Sequence, residues 1–426
     1  LTLCIGLCAC GAQPEAPAAT EAPAATEAPA ATDAPAAEAP AEETPAATSE
    51  TETTTASKDI KVGFIFLHDE NSTYDLNFIN AAKAACAEVG LSDDQVMMKT
   101  NISESQACYD AAAELVDAGC DLIITDSFGH ESFALAAAKE FPEVHFVSCT
   151  GVKAHTEGLS NFHNAFASIY EGRYLAGVAA GLKLNEMIEN GDITAEEAKM
   201  GYVGAFPYAE VKSGYTSFFL GARSVCPSVT MEVTFTSSWY DEALEKEAAN
   251  KLINNGCVLI SQHADSMGAP TACETAGVPN VSYNGSTVAA CPNTFIVSSR
   301  IDWTPFFVYA INCVASGEDI GYDWTGTLAT GSVVLTDVNE QAAAAGTVEK
   351  IAEVMKALED GSVKVFDTAT FTVNGETVTT YLADVDDLGD YVGETEAISD
   401  GVFLESFYRS APYFDLDIDG ITNLDA

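Results

Sequence analysis

Residues 62–67, VGFIFL, form a short unbroken apolar run, and a helical pattern follows at residues 77–89. The alternation continues with apolar runs at residues 122–125 (LIIT) and 145–148 (HFVS). Short apolar runs that alternate with helical stretches are typical of a parallel sheet covered by helices. This half therefore predicts one α/β lobe, which also includes a strand near residues 96–99 and helices at residues 104–118 and 131–140.

The second half repeats this order after a long helical pattern at residues 169–188. Two such halves in tandem predict an α/β protein with two doubly wound, Rossmann-like lobes. Ligands bind beyond the carboxyl ends of parallel strands, so two facing lobes would form the walls of a cleft. The apolar runs of this half lie at residues 201–206, 231–236, 258–261 and 278–283, with a helical pattern at residues 241–254.

The N-terminal residues indicate export. Residues 7–10, LCAC, close a short apolar stub, and residues 11–58 are rich in Ala, Pro, Thr and Glu. A small-residue site that ends in Cys and precedes such a stretch is typical of a lipid-anchored protein. We interpret residues 1–10 as a signal-peptide remnant with Cys10 as the lipid anchor to the outer face of the plasma membrane. Residues 11–58 then form a disordered tether; an ordinary clipped signal peptide is the alternative.

The charge of the chain argues against a nucleic-acid partner. The 426 residues include 64 acidic and 18 basic side chains, a formal net charge of -46. This charge repels a polyanion over most of the surface. The hydrophobic content of 47% is ample for a packed core. Outside the N-terminal stub, no stretch reaches the roughly 18 unbroken apolar residues of a membrane-spanning helix.

Cysteine usage predicts free thiols. Of 12 cysteines, Cys4, Cys8 and Cys10 lie in the stub, which leaves an odd number in the remainder of the chain. There is no C-x-x-C pair, and several cysteines lie in apolar runs such as residues 120–124, CDLII. The sequence therefore predicts small buried hydrophobic side chains instead of a disulfide framework.

Aromatic and short polar side chains recur directly after the predicted strands, and no Lys occurs among them. Rings stack on the faces of a flat ligand, while Asp, Asn and Ser bond its edges. This set predicts a flat, mostly neutral ligand, with no metal and no cofactor. The candidate ligand-binding residues are Asp69, Asn71, Tyr74, Asn77, Phe78, Ser127, Phe128, Phe206, Trp239, His263, Asp265, Asn284 and Gly285.

Several candidates also have a structural explanation. Phe206 could turn back into the core of its lobe. Tyr74 and Phe78 could form a hydrophobic staple at the start of the first helix. Asp69 and Asp265 could be N-cap residues, which alone would account for an Asp in such a turn.

Signatures of catalysis are few. The chain has no G-x-x-x-x-G-K-[ST] phosphate loop, no H-E-x-x-H and no G-x-S-x-G elbow after a strand. His263 with Asp265 leaves a hydrolase conceivable, but one His among scattered acids is more often a hydrogen-bonded wall residue. The sequence therefore indicates a binding protein and not an enzyme.

Four motifs in order resemble one known family. They are residues 171–181 (EGRYLAGVAAG), 201–207 (GYVGAFP), 238–241 (SWYD) and 262–266 (QHADS). These residues resemble the basic membrane protein family, substrate-binding lipoproteins of ABC importers that are similar to purine nucleoside receptors. The resemblance covers residues 58–331 and implies a type I periplasmic-binding-protein fold with a three-segment hinge. It implies an N-terminal lobe of residues 59–167 and 299–323 and a C-terminal lobe of residues 168–298 and 324–426.

The resemblance also implies roles for individual residues. In nucleoside-binding members, an acidic residue after the first strand contacts the base, two aromatic rings sandwich it, and polar residues of the second lobe hold the sugar. Trp239 matches the second-lobe stacking residue. Asn284 lies where many members have an Asp that binds ribose, and no Lys matches the one that often follows the returning strand. A nucleoside and a free base therefore both remain candidate ligands.

We accordingly expect a monomeric solute receptor that closes on a purine nucleoside or nucleobase and presents it to an ABC permease. The alternatives are the same fold binding another flat heterocycle such as a flavin, a sensor module, and a surface hydrolase.

Overall fold

The structure, a computed structural model, describes residues 60–385 and 392–425. The predicted signal-peptide remnant, the lipid anchor at Cys10 and the tether lie outside these residues, so they stay predictions. All described residues belong to the unit that spans residues 54–426. Among them, no helix combines the length and hydropathy that a membrane crossing requires.

Strands and helices alternate along most of the chain. The strands are β1 Val62–Ile65, β2 Val96–Lys99, β3 Leu122–Thr125, β4 His145–Ser148, β5 Phe162–Ala167, β6 Lys199–Gly204, β7 Thr230–Phe235, β8 Leu259–His263, β9 Asn280–Tyr283, β10 Phe295–Ile301, β11 Asp323–Gly326, β12 Val333–Leu335, β13 Leu382–Ala383, β14 Thr395–Glu396, β15 Ile398–Ser399, β16 Val402–Phe403 and β17 Ile421–Asn423. The helices are α1 Thr73–Glu88, α2 Gln106–Asp117, α3 Glu131–Glu140, α4 Ala154–Glu157, α5 Ile169–Asn190, α6 Ala209–Val225, α7 Glu242–Asn254, α8 Gly268–Ala276, α9 Thr304–Ser316 and α10 Thr347–Glu359.

The first lobe is built on a six-stranded sheet in the order β11-β5-β4-β3-β1-β2. All neighbours in this sheet are parallel. Every residue of β1 and β3 is buried, which is why both appear in the sequence as unbroken apolar runs.

The second lobe is built on a seven-stranded sheet in the order β12-β10-β9-β8-β6-β7-β17. Its neighbours are parallel except for β10 and β12. The C-terminal stretch closes one edge, because β17 pairs with β7. The two doubly wound lobes predicted from the sequence are confirmed.

Helices α5 and α6 pack closely through glycines. A Cβ atom at Gly177 would lie 2.0 Å from the carbonyl oxygen of Phe218, and one at Gly221 would lie 2.0 Å from that of Tyr174. Only a residue without a side chain allows the two backbones to approach this closely. The glycine-containing motif at residues 171–181 therefore serves the core of the second lobe.

The chain crosses between the lobes three times, between β5 and α5, between β10 and α9, and between β11 and β12. Two crossings occur a few residues later than the expected boundaries at 299 and 323. Residues 299–301 belong to the second sheet, since they pair with β12, and residues 324–326 belong to the first, since they pair with β5. The apolar pattern of a hinge strand does not reveal which sheet accepts it.

The cysteines in the described part of the chain are all buried and free: Cys86, Cys108, Cys120, Cys149, Cys226, Cys257, Cys273, Cys291 and Cys313. Burial raises the pKa of Cys86 to about 11 and that of Cys108 to about 12. These thiols act as small apolar side chains, as the sequence predicts.

Candidate ligand-binding site

A cavity lies between the carboxyl ends of the two sheets, lined by residues from both lobes. The first lobe contributes Leu67, His68, Tyr74, Asp75, Ser127, Phe128, Thr150 and Phe166. The second lobe contributes Glu210, Trp239, His263, Asp265, Tyr283 and Asn284.

The two lobes touch each other around this cavity. The backbone N–H of Thr73 donates to the carbonyl oxygen of Asp265 over 3.1 Å. The ring centroid of Phe128 lies 6.0 Å from that of Tyr208, and the His68 ring lies 5.4 Å from Tyr240. These contacts join the first lobe to the second, so the cleft is closed in this structure.

Aromatic rings from both lobes form part of the wall. Trp239 is half-buried in the turn after β7, and the Phe206 ring meets it edge-on with 5.1 Å between centroids. Tyr74 and Phe166 line the cavity from the first lobe. Tyr74 lies in the first turn of α1, which begins where the Ser72 side chain accepts from the N–H of Asp75. A planar ligand between the lobes would thus meet rings from both sides.

Seven of the thirteen candidate residues line the cavity, namely Tyr74, Ser127, Phe128, Trp239, His263, Asp265 and Asn284. Phe206 contacts the Trp239 ring but is not one of the residues that line the cavity. Phe78 lies fully buried in the core of the first lobe, where it stacks on Trp303 at 4.4 Å. The structure thus brings together over half of the predicted set and assigns Phe78 to packing.

Asp69 and Asn71 lie in the turn before α1, outside the cavity wall. The Asp69 carboxylate accepts from the backbone N–H of Asn71 at 3.1 Å and from its side-chain amide at 2.7 Å. The backbone hydrogen bond from Asn71, together with the Asn101 amide, lowers the pKa of Asp69. Asp69 therefore shapes this turn.

Asn77 and Gly285 line a second, more polar depression beside the cavity. Asn284 lies on the wall of both spaces. Its backbone φ is 64°, in the left-handed region that Asn enters more readily than most residues. The Asn that replaces the family's usual Asp at this position therefore also suits the backbone.

Besides Glu210, three carboxyl groups lie in or beside the cavity wall, those of Asp75, Asp126 and Asp265. Burial, and next the charge of Asp75, raise the pKa of Asp126 and of Asp265 well above the ordinary value. Burial also opposes ionisation of Asp75, but hydrogen bonds led by that of His68 bring its pKa below the ordinary value. The shifts therefore favour the ionised form of Asp75 and the protonated form of Asp265.

No Lys or Arg belongs to the described residues that line the cavity. No group of three or more His, Cys, Asp or Glu in residues 60–385 and 392–425 is placed to hold a metal ion. The wall favours ligands that donate hydrogen bonds and disfavours anions.

Several wall residues were missed by the sequence analysis. Phe166 and Tyr283 are within or at the end of strands, whereas the search considered only the residues that follow each strand. Asp75 and Glu210 lie in the first turns of α1 and α6, where an acidic residue is expected for the helix dipole alone. A search of first helical turns after each strand would have found both acids.

Two parallel-sheet lobes, three crossings and a closed cleft between strand ends define a solute-binding protein of the periplasmic-binding-protein type I fold. A family model described as ABC transporter substrate-binding protein PnrA-like matches residues 65–365, and the chain belongs to this family, the Bmp family. The resemblance read from the sequence motifs is therefore confirmed. The chain is a substrate-binding protein of an ABC transporter, a receptor class that acts outside the cytoplasm.

Individual relatives differ in the ligand that their names give. A purine-binding protein of Brucella abortus (strain 2308) is 31% identical over 265 residues, which cover 62% of this chain and 71% of the relative. A Haloferax volcanii protein named for glucose binding by an ABC transporter is 31% identical over 235 residues, 55% of this chain and 56% of the relative. A solute-binding protein of Conexibacter woesei superposes with a TM-score of 0.58 at 20% identity, over 72% of this chain and 98% of its own, which shows the fold alone.

Proposed function

We propose that the cavity binds a purine nucleoside or nucleobase for import. The observation that carries this proposal is the aromatic wall, with Trp239 in the second lobe and Tyr74 and Phe166 in the first. Lobe closure would place the planar base between these rings, where stacking on each face is favourable.

The polar groups of the wall suit the edges of a purine, which carry both donors and acceptors. Asp75, whose lowered pKa favours the carboxylate, would accept; Asp265, whose raised pKa favours the protonated form, would donate; and the Asn284 amide can do both. Phosphate groups would find no Lys or Arg partner among the described wall residues. We therefore infer a preference for nucleosides and bases over nucleotides.

The name of the Brucella relative supports a purine, whereas that of the Haloferax relative favours a sugar as the second candidate. Sugars also pack against Trp, and carboxylates accept from pairs of hydroxyl groups. A flavin, another flat heterocycle, is the third candidate ligand.

We further propose that the protein is a monomer held at the membrane through Cys10 and residues 11–58. Each sheet would define one lobe. The three crossings between the sheets would then form the hinge about which the two lobes close. The permease then meets the closed form, and no chemical change of the ligand is required.

The test is a thermal-shift and calorimetry panel with adenosine, guanosine, inosine, hypoxanthine, riboflavin and glucose. A ligand at 100 times its Kd stabilises the folded protein by about 2.7 kcal/mol, which raises Tm by several degrees. We expect this shift with purines only and recovery of the purine unchanged by chromatography. A shift with glucose or riboflavin but with no purine would contradict the proposal, and hydrolysed nucleoside would favour the hydrolase alternative.

A further inference from the structure

Glu210 is a wall residue that the sequence motifs do not single out. It is the second residue of α6, and its side chain is 18% exposed at the cavity. Its Oε1 accepts from Nε2 of His263 at 2.7 Å and from the Tyr283 hydroxyl at 3.5 Å. The carboxylate is thus held from the protein side while it faces the ligand space.

Behind this pair lies a buried cation. Arg173 in α5 is fully buried and forms no ion pair with any residue that the structure describes. Its Nη2 donates to the Tyr202 hydroxyl at 2.9 Å and to Ser261 Oγ at 3.0 Å. Its guanidinium also lies 5.1 Å from the ring centroid of Tyr283. A buried charge is costly unless it is hydrogen-bonded and compensated by an opposite charge. Glu210, which is connected to Arg173 through Tyr202 and His263, supplies a negative charge.

The two ends of this hydrogen-bond chain have fixed roles, because an Arg side chain only donates and a carboxylate only accepts. Arg173 can only donate, so the Tyr202 oxygen accepts from it and the Tyr202 proton is free to point elsewhere. The other hydrogen-bond partner of that hydroxyl is Nδ1 of His263, at 3.2 Å. If Nδ1 accepts, a neutral imidazole carries its proton on Nε2 and donates it to Glu210. In this arrangement Arg173 donates to Tyr202, Tyr202 to His263, and His263 to Glu210 at the cavity.

We propose that Glu210 is a ligand-binding residue whose carboxylate is oriented by the chain Arg173–Tyr202–His263 to accept a hydrogen bond from the ligand. The inference deepens the proposed function and rests on it. It requires a ligand with an N–H or O–H group at this point of the cavity, such as a purine N–H or amine or a sugar hydroxyl. Arg173, Tyr202 and His263 are positioning residues that act through Glu210.

The direct test replaces Glu210 by Gln, which keeps the size of the side chain and removes the charge. Calorimetry with the same six compounds should show that Glu210→Gln binds the ligand of the wild-type protein at least about tenfold more weakly. Glu210→Asp, which draws the carboxylate back by one methylene, should fall between the two. Glu242→Gln is the matched control, because Glu242 lies in the first turn of α7 and is exposed; its affinity should equal that of wild type.

The positioning chain is tested by a double-mutant cycle with Tyr202→Phe, which removes only the linking hydroxyl. We expect Tyr202→Phe to weaken binding about threefold in the wild-type background and not at all beside Glu210→Gln. Unliganded Tm values identify any variant that fails to fold; in that case His263→Asn replaces Tyr202→Phe.

The possible results distinguish a failure of the role of Glu210 from a failure of the proposed ligand class. Wild-type affinity in Glu210→Gln overturns this inference while the proposed function stands, and additive losses overturn the positioning chain. Binding of glucose in place of purines overturns the proposed ligand class, and Glu210→Gln is then measured with glucose. If the wild-type protein binds none of the six compounds of the thermal-shift panel, both proposals fail.

Discussion

Trp239 is the residue on which the proposed ligand class depends most. Stacking of one base on an aromatic side chain is worth about 1–3 kcal/mol by alanine substitution. We therefore expect Trp239→Ala to weaken purine binding about 10- to 100-fold, as measured by calorimetry. Tyr322→Ala, at an aromatic residue that is 50% exposed outside the cavity wall, is the control and should bind as wild type does. Equal affinities for both variants would exclude Trp239 from the binding site.

Glu405 links stability to pH. Its carboxyl is buried, accepts from Ser213 Oγ at 2.6 Å and from the Ser406 hydroxyl, and burial raises its pKa from 4.5 to about 8. The folded state thus binds a proton that the unfolded state releases above pH 4.5. The free energy of unfolding therefore falls as the pH rises from about 4.5 to about 8.

We expect Glu405→Gln to remove most of this fall, since the amide stays neutral and can still accept from Ser213. Each pKa unit is worth about 1.4 kcal/mol, so the gain at pH 8 should be on the order of a few kcal/mol. Denaturant unfolding between pH 5 and 9 measures it, with the exposed Glu376→Gln as control. Some slope should remain from Glu245, whose pKa burial raises to about 7. Parallel pH profiles for wild type and Glu405→Gln would contradict the assignment.

Individual site residues were predictable from the sequence where the rule that ligands bind beyond the carboxyl ends of strands applies. Trp239 and Asp265 follow strands directly, and both line the cavity. Asp69 also follows a strand, but its carboxylate accepts hydrogen bonds from Asn71 in the same turn. Glu210 lies in the first turn of α6, where a search of first helical turns would have found it, but its contact with His263 is with a residue far away in sequence. Contacts of this kind form only in the folded chain.

At the scale of elements, the packing of α5 on α6 yields a stability prediction. A Cβ atom at Gly177 would lie 2.0 Å from backbone, which flexible side chains cannot relieve, so Gly177→Ala must push the helices apart. We expect a loss of about 1–3 kcal/mol or more, seen as a lower Tm. Gly321→Ala is the control, since its Cβ would be 3.8 Å from the nearest atom, the Tyr309 hydroxyl oxygen. A Gly177→Ala protein as stable as this control would contradict the packing argument.

Elements were predicted well where burial shapes the sequence directly. Buried β1 and β3 are continuous apolar runs, and their place in a parallel sheet follows from the helices between them. The hinge strands were placed less well. Strand β10 pairs with β9 and β12 in the second sheet, whereas β11 pairs with β5 in the first. The partners of β11 lie more than 150 residues earlier in the chain, so a local sequence pattern does not reveal this pairing.

For the whole molecule, the contact between Phe128 and Tyr208 joins the lobes at the cavity. The two side chains are 42% and 47% exposed, so the contact is within reach of solvent and can separate without opening either core. We expect Tyr208→Ala to raise the ligand dissociation rate about three- to tenfold with a smaller effect on association. Stopped-flow fluorescence of the Trp residues measures both rates, with Tyr322→Ala as control. An unchanged dissociation rate would mean that this ring pair does not hold the lobes together.

The burial of every described cysteine has a practical consequence. Maleimide reagents need an accessible thiolate, and all of these thiols are buried; burial also raises the pKa of Cys86 and Cys108. In a chain that starts after Cys10, a cysteine introduced at position 128 or 208 would be the accessible thiol of the described part. A dye attached there would sit where the lobes meet, so its brightness would follow cleft closure. The native fold is thereby suited to conversion into an optical biosensor for its own ligand, without replacement of any native cysteine.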